Sequence, residues 1–127
     1  MILGIGIDMV EIRRIRKWMA APGLIERYFS ENEITWCSKR GKDSALSLAA
    51  RFAVKEALGK ALGTGMKGLA LKDTQVDNDE HGKPVIILSG TAKELVEAMG
   101  GNHVHVSLTH EKEHAVAVVI IEGVDKP

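Results

Sequence analysis

Glu56 and Lys60 stand four residues apart, the spacing that makes two side chains neighbours on a helix. Arg51 and Lys55 repeat that spacing in the same stretch. At about 100° per residue the segment divides into two faces. Ala50, Val54, Ala57, Leu58 and Ala61 fall on one broad apolar arc, and Arg51, Phe52, Lys55, Glu56 and Lys60 fall across the other. Two chemistries fit this arrangement. One is a solvated face carrying a Glu–Lys pair worth about 0.3–0.5 kcal/mol. The other is an anion site, with the cations Arg51, Lys55 and Lys60 around one carboxylate and one aromatic ring, followed by the glycine-rich run 63–68. There the cations would hold phosphates and the carboxylate a metal. Spacing leaves both open.

Asp8 is a second candidate, straight after a short β-branched and apolar run. A carboxylate at a strand-to-helix turn suits a metal ligand, and equally the N-cap of the next helix. The two roles are compatible, because a carboxylate has two oxygens. The run 4–8, GIGID, is no dinucleotide fingerprint: it lacks the third glycine and a βαβ unit with a downstream acid. The run 59–68 is no P-loop either, since its glycine and Lys-Thr spacing is wrong and it follows a helix. Of the five histidines, His103 and His105 share a strand face and resemble part of a metal site, but no third ligand is evident. His110 sits at a strand end, where functional groups are often presented. His81 and His114 fall in turns. Cys37 is the only cysteine, which excludes an intramolecular disulfide and a Cys-rich zinc site, and it reads as a small apolar filler.

The elements that must position these groups follow from periodicity and turn chemistry. Residues 2–7 read as a buried strand broken after Asp8. Residues 10–19 read as a helix with Val10, Ile12 and Ile15 apolar and Arg13, Arg14, Arg16 and Lys17 charged, ended by Pro22-Gly23. Ser30 to Glu33 fits a capping box opening a short helix through about Lys39. The longest helix runs over 44–62, is rich in Ala and Leu, and has Gly63 placed as its C-cap. Residues 74–78 and 85–88 pair as a hairpin, 90–99 form a helix, and 103–109 with 115–121 form a second hairpin. The order predicts an α+β fold, with helices packed on an antiparallel sheet.

The chain of 127 residues reads as a single domain spanning 1–127. A hydrophobic fraction of 45% supports a core, and aromatics at 4% leave that core to aliphatic residues. Lys plus Arg equals Asp plus Glu at 17 each, so no bulk basic field favours a nucleic acid. The first ten residues lack a basic n-region, and no apolar run reaches membrane-spanning length. These features point to no nucleic acid, no membrane and a cytoplasmic protein.

Three blocks resemble one family, the holo-acyl-carrier-protein synthases, or short 4′-phosphopantetheinyl transferases. They are residues 4–8 with Glu11, Ile12, Arg14 and Ile15 after them; residues 51–65, RFAVKEALGKALGTG; and residues 106–110, VSLTH. The turn 78–84, with Gly82-Lys83-Pro84, also fits. The second block is the specific one. The resemblance implies the 4′-phosphopantetheinyl transferase-like α+β fold, a homotrimer with its site between subunits, and transfer of phosphopantetheine from coenzyme A to a serine of apo acyl carrier protein in fatty acid biosynthesis. It implies Mg2+ held by Asp8 and Glu56, with Lys60 on the pyrophosphate. It assigns Arg51, Lys55, Lys60, Gly65 and His110 to coenzyme A, and Arg14 to the acidic carrier; Arg13, Arg14, Arg16 and Lys17 supply the basic patch such a carrier needs, with Trp18 and Met19 as apolar anchors.

Overall fold

In the computed structural model, residues 1–124 are described. Strand β1 (Ile2–Glu11) leads into helices α1 (Ile12–Ala20), α2 (Leu24–Tyr28) and α3 (Glu31–Ser38). The long helix α4 (Ser44–Leu62) follows. Then come β2 (Thr74–Asn78), β3 (Pro84–Leu88), α5 (Gly90–Ala98), β4 (His103–His110) and β5 (His114–Glu122). Short 3-10 turns occupy Gly41–Asp43 and Leu71–Asp73.

The α+β expectation holds, with the antiparallel strands divided between two sheets. One has the order β1-β5-β4, and β2 and β3 form a second of their own. Helix α4 lies across the three-stranded sheet. The sheet's inner face suits that contact: Ala115, Ala117, Val119 and Ile121 alternate along β5 and are almost fully buried.

Two local expectations change. Strand β1 is not broken after Asp8 but continues to Glu11, because β5 reaches back to His114 and offers ladder partners: Asp8 pairs with Ala117 and Val10 with Ala115. Helix α1 therefore starts at Ile12, whose amide donates to the Glu113 carbonyl at 2.9 Å. Asp8 is thus not an N-cap; that position falls to Glu11, which makes no side-chain cap bond. The short helix α2, unforeseen, begins after Gly23 in the left-handed region. The α3 capping box forms as expected: the Glu33 amide donates to Ser30 Oγ at 3.2 Å, and the Ser30 amide to Glu33 Oε1 at 3.0 Å.

The two-faced reading of α4 is also corrected. Arg51 and Lys55 are as buried as the alanines around them. Helix α4 is the central element, with the sheet on one side and α1, α3 and β2 around the rest. Only Glu56, Lys60 and Leu62 along its C-terminal half keep partial exposure.

Gly4 and Gly6 set how close α4 comes to β1. A Cβ on Gly6 would lie 1.9 Å from the Ala57 carbonyl oxygen, and one on Gly4 would lie 2.0 Å from that of Ala61. Both distances are sterically impossible, so the helix rests directly on strand backbone. Gly6→Ala forces the two apart, and the expected cost is about 3 kcal/mol. Denaturant unfolding measures it; a loss within experimental error would contradict this packing.

Candidate active site

The close approach of β1 and α4 brings three sequence-distant side chains together. Asp8 points from β1 toward α4 and is largely covered. Lys60 Nζ donates to Asp8 Oδ1 at 2.8 Å and to the Ile7 carbonyl at 3.0 Å. Glu56, one helical turn before Lys60, lies near enough to Asp8 for that charge to act on its carboxyl. Burial, and then the negative charge of Asp8, push the Glu56 carboxyl above its usual range, with Arg14 and Lys60 partly offsetting them. The bond to Asp8, with its charge, raises the Lys60 ammonium pKa, so this lysine stays protonated.

Two carboxylates forced together beside a lysine form an unbalanced site. A divalent cation fits there, because it removes the repulsion that raises Glu56. Among the described residues no group of three or more His, Cys, Asp or Glu side chains is placed to hold a metal. A cation at this point would meet two protein carboxylates, which suits Mg2+, an ion that usually takes one or two together with phosphates and water.

Beside Glu56 opens a cavity of about 520 Å³, lined by Arg14, Trp18, Tyr28, Phe52, Met66 and Leu71 among others. The rings of Trp18 and Phe52 meet edge to face at 4.8 Å. The Arg14 guanidinium lies 4.9 Å from the Trp18 ring and 5.3 Å from the Phe52 ring. Arg14 and Trp18, one turn apart on α1, therefore face the Glu56 side. Arg13 does not join them: it is exposed, sits 3.5 Å from Glu11, and lines a separate groove with Arg16 and Lys112.

The remaining expected residues part company. Lys55 is wholly buried and gives its ammonium protons to Glu33 Oε1 at 2.8 Å, to the Leu71 carbonyl at 3.0 Å and, more closely, to the Thr74 carbonyl. A phosphate contact by Lys55 is thereby excluded, since no proton of the ammonium remains and no path reaches it. Arg51 is nearly buried, donates to Asn78 Oδ1 at 2.6 Å and lies 4.2 Å from the Trp36 ring, with its Nε left unpartnered. The amide of Gly65 is taken by the Gly59 carbonyl at 3.0 Å. His110 pairs with Ala115 at the end of β4, so the whole of β5 separates it from Asp8 within one chain.

Sequence reasoning missed Glu33 as a buried counter-ion, because its capping-box signal accounted for it fully. It also missed Tyr28 and Met66 as cavity walls, for which no local pattern exists. His105 contacts Glu122 at 3.0 Å. Cys37 is buried, and loss of solvation pushes its thiol up to about 11, as an inert filler requires.

Asp8 and Glu56 thus stand beside Lys60 where β1 meets α4 in an α+β fold. Residues 4–119 match the 4′-phosphopantetheinyl transferase superfamily, and the chain belongs to that family. It is 52% identical to a holo-[acyl-carrier-protein] synthase of Treponema denticola over 97% of this chain and 100% of that one. Its structure is similar to a holo-(acyl-carrier-protein) synthase from Bacillus anthracis in complex with CoA (3′,5′-ADP), with TM-score 0.82 and 40% identity, covering 98% of this chain and 99% of that one. The Helicobacter pylori synthase in complex with coenzyme A matches with TM-score 0.79 and 36% identity, over 93% of this chain and 99% of that one.

The raised Glu56 pKa has a thermodynamic consequence. Without a cation, ionising Glu56 costs more in the folded than in the unfolded state, so its contribution turns unfavourable as pH rises from its unfolded pKa through its folded pKa. Glu56→Gln is therefore expected to raise the Tm of the cation-free protein at neutral pH. The gain should fade as pH drops below the ordinary carboxylate range. Thermal melts across pH with a chelator check both signs.

Proposed function

We propose that Asp8, Glu56 and Lys60 are the centre at which this chain transfers 4′-phosphopantetheine from coenzyme A to a serine of apo acyl carrier protein, in fatty acid biosynthesis. The convergence of these three side chains from β1 and α4 carries the reading. The serine oxygen forms a bond to the phosphorus that bears the pantetheine arm, and the bond from that phosphorus to the bridging oxygen breaks. Adenosine 3′,5′-bisphosphate leaves with the bonding electrons.

Asp8 and Glu56 would hold Mg2+, which when bound supplies Lewis-acid charge to the phosphoryl oxygens. Lys60 has an exposed ammonium tethered only on its Asp8 side, so it is placed to steady the departing oxygen as a mobile point charge. Glu56 and Asp8 are the two candidates for accepting the serine proton, and Glu56 is the one whose carboxyl is not hydrogen-bonded to Lys60. Arg51 is buried with its guanidinium tied to Asn78, so it carries no phosphate contact in this reading. Gly65 lies just beyond the C-terminal end of α4, with its amide taken by the Gly59 carbonyl, and can contribute only close approach.

A homotrimer is supported by the outer face of the three-stranded sheet. Ile5, Ile7 and Met9 of β1 are each about 60% exposed, and Val116, Val118 and Ile120 of β5 lie alongside them. An apolar sheet face of this kind is what an interface between subunits covers. It also gives His110 a role, since a histidine remote from Asp8 in its own chain can serve the site of a neighbour. No helix among the described residues is long and apolar enough to cross a membrane, in keeping with a cytoplasmic enzyme. Arg14 and Trp18 on α1 offer the acidic carrier a cation with an apolar anchor, and Arg13 adds positive charge from the neighbouring groove.

The direct test incubates the chain with coenzyme A, magnesium and apo carrier protein. The carrier should gain about 340 Da by mass spectrometry, as the transfer of this group requires. Asp8→Asn and Glu56→Gln should each lower the rate on the order of 10²–10³-fold. Wild-type transfer by both variants, or in excess chelator, would remove the metal reading. Arg14→Glu is expected to raise KM for the carrier at least tenfold and leave coenzyme A affinity within twofold. The same change removes a cation that lowers the Glu56 pKa, so the acidic limb of the kcat profile should move to higher pH.

A further inference from the structure

Lys55 and Glu33 form a fully buried ion pair that no step of the reaction uses. Its connectivity is unusually complete. The Lys55 ammonium reaches α3 through Glu33, the 3-10 turn through the Leu71 carbonyl and β2 through the Thr74 carbonyl. Glu33 in turn accepts from the Ser30 amide through Oε1 and from the Val76 amide through Oε2 at 3.1 Å. Each polar atom of the pair has a partner, and the bonds join three stretches of chain: α3 with its cap residue, α4, and the run from Leu71 through Val76. Taking two charges out of water is costly, and apolar packing can often replace such a pair without loss of stability. What apolar packing cannot supply is direction.

The place of the pair on α4 gives that direction a use. Lys55 is adjacent to Glu56 and precedes Lys60 by five residues. On one flank, α4 touches β1 through Ala57 and Ala61 against Gly6 and Gly4. That contact fixes how close the helix comes, but bare backbone contact offers little resistance to rolling. On the other flank, the ammonium of Lys55 is held from three directions. One turn earlier, Arg51 is tied to Asn78 at the far end of β2. Rolling α4 would break these bonds inside the core, where no water replaces them.

We propose that the Lys55–Glu33 pair is a positioning device, which fixes the rotation of α4 and the adjoining Leu71–Thr74 wall so that Glu56 and Lys60 meet Asp8. Lys55 and Glu33 are positioning residues and touch no substrate. The inference rests on the Asp8–Glu56–Lys60 centre proposed above.

The test uses Lys55→Met and Glu33→Gln in the full chain, assayed well below their own melting temperatures, with circular dichroism showing both fully folded. Lys55→Met is expected to lower kcat at least tenfold and change KM for coenzyme A less than threefold. Glu33→Gln, which keeps the shape and one acceptor, should lower kcat at least threefold. A second readout is independent of turnover. Magnesium bound between Asp8 and Glu56 is expected to raise the Tm of the wild-type protein, and that increment should shrink by half or more in both variants. A purely structural pair would lower the baseline Tm and leave both kcat and the magnesium increment intact; that outcome overturns the proposal. If Lys55→Met does not fold, Glu33→Gln decides alone by the same two readouts. Asp8→Asn runs in parallel: wild-type activity there sinks the site itself, whereas an inactive Asp8→Asn beside fully active Lys55→Met and Glu33→Gln sinks only the positioning role.

Discussion

Under Ala57 and Ala61 of the long helix lie Gly6 and Gly4 of the first strand, with no side chain between the two backbones. An ordinary helix-on-sheet contact keeps its backbones about 10 Å apart because side chains fill the gap. Here that layer is missing, and the short carboxylate of Asp8 can reach the helix. Lys60 then bonds Asp8 from above, and Glu56 is brought against it. A strand with larger residues at these two positions would still pair with β5, but its acid would stand too far from the acid on the helix to share an ion.

The second requirement is electrostatic. Helix α4 carries Arg51, Lys55, Glu56 and Lys60 within three turns, yet most of its surface is enclosed. The fold divides these charges by depth. Lys55 and Arg51 are taken inside and given counterparts in Glu33 and Asn78. Glu56 and Lys60 remain at the rim, where a cation and a phosphate ester can reach them. The raised Glu56 pKa records first its burial and then the neighbouring Asp8 charge, and such a shift is a usual mark of a functional site.

The surroundings of the site follow the same economy. Arg14 is held flat against Trp18 and Phe52, which keeps a cation near Glu56 without a competing acid. The cavity between α1, α4 and the Leu71 turn is apolar on most sides and opens beside that carboxylate. The exposed apolar face of β1 and β5 lies on the opposite side of the sheet from α4, because successive side chains on a strand alternate. The alternation that delivers Asp8 to the helix also delivers Ile5, Ile7 and Met9 outward.

Local sequence determined much of this molecule. The α3 capping box, the 44–62 helix with its glycine cap, the β2–β3 hairpin and the α+β class were legible because each depends on neighbouring residues only. The three motif blocks carried the family, and with it the candidates Asp8, Glu56 and Lys60. The length of β1 was not legible, since its last residues are strand only because β5 is there to pair with them. Nor was the fate of Arg51 and Lys55. A helical projection separates polar from apolar, but it cannot tell a charge facing water from one facing a buried partner. Glu33 lies 22 residues from Lys55, and only packing α3 against α4 reveals that they meet. Residue type and spacing set which groups could act; the tertiary fold decided which of them share a site, because distance and burial are properties of the packed chain and not of its order.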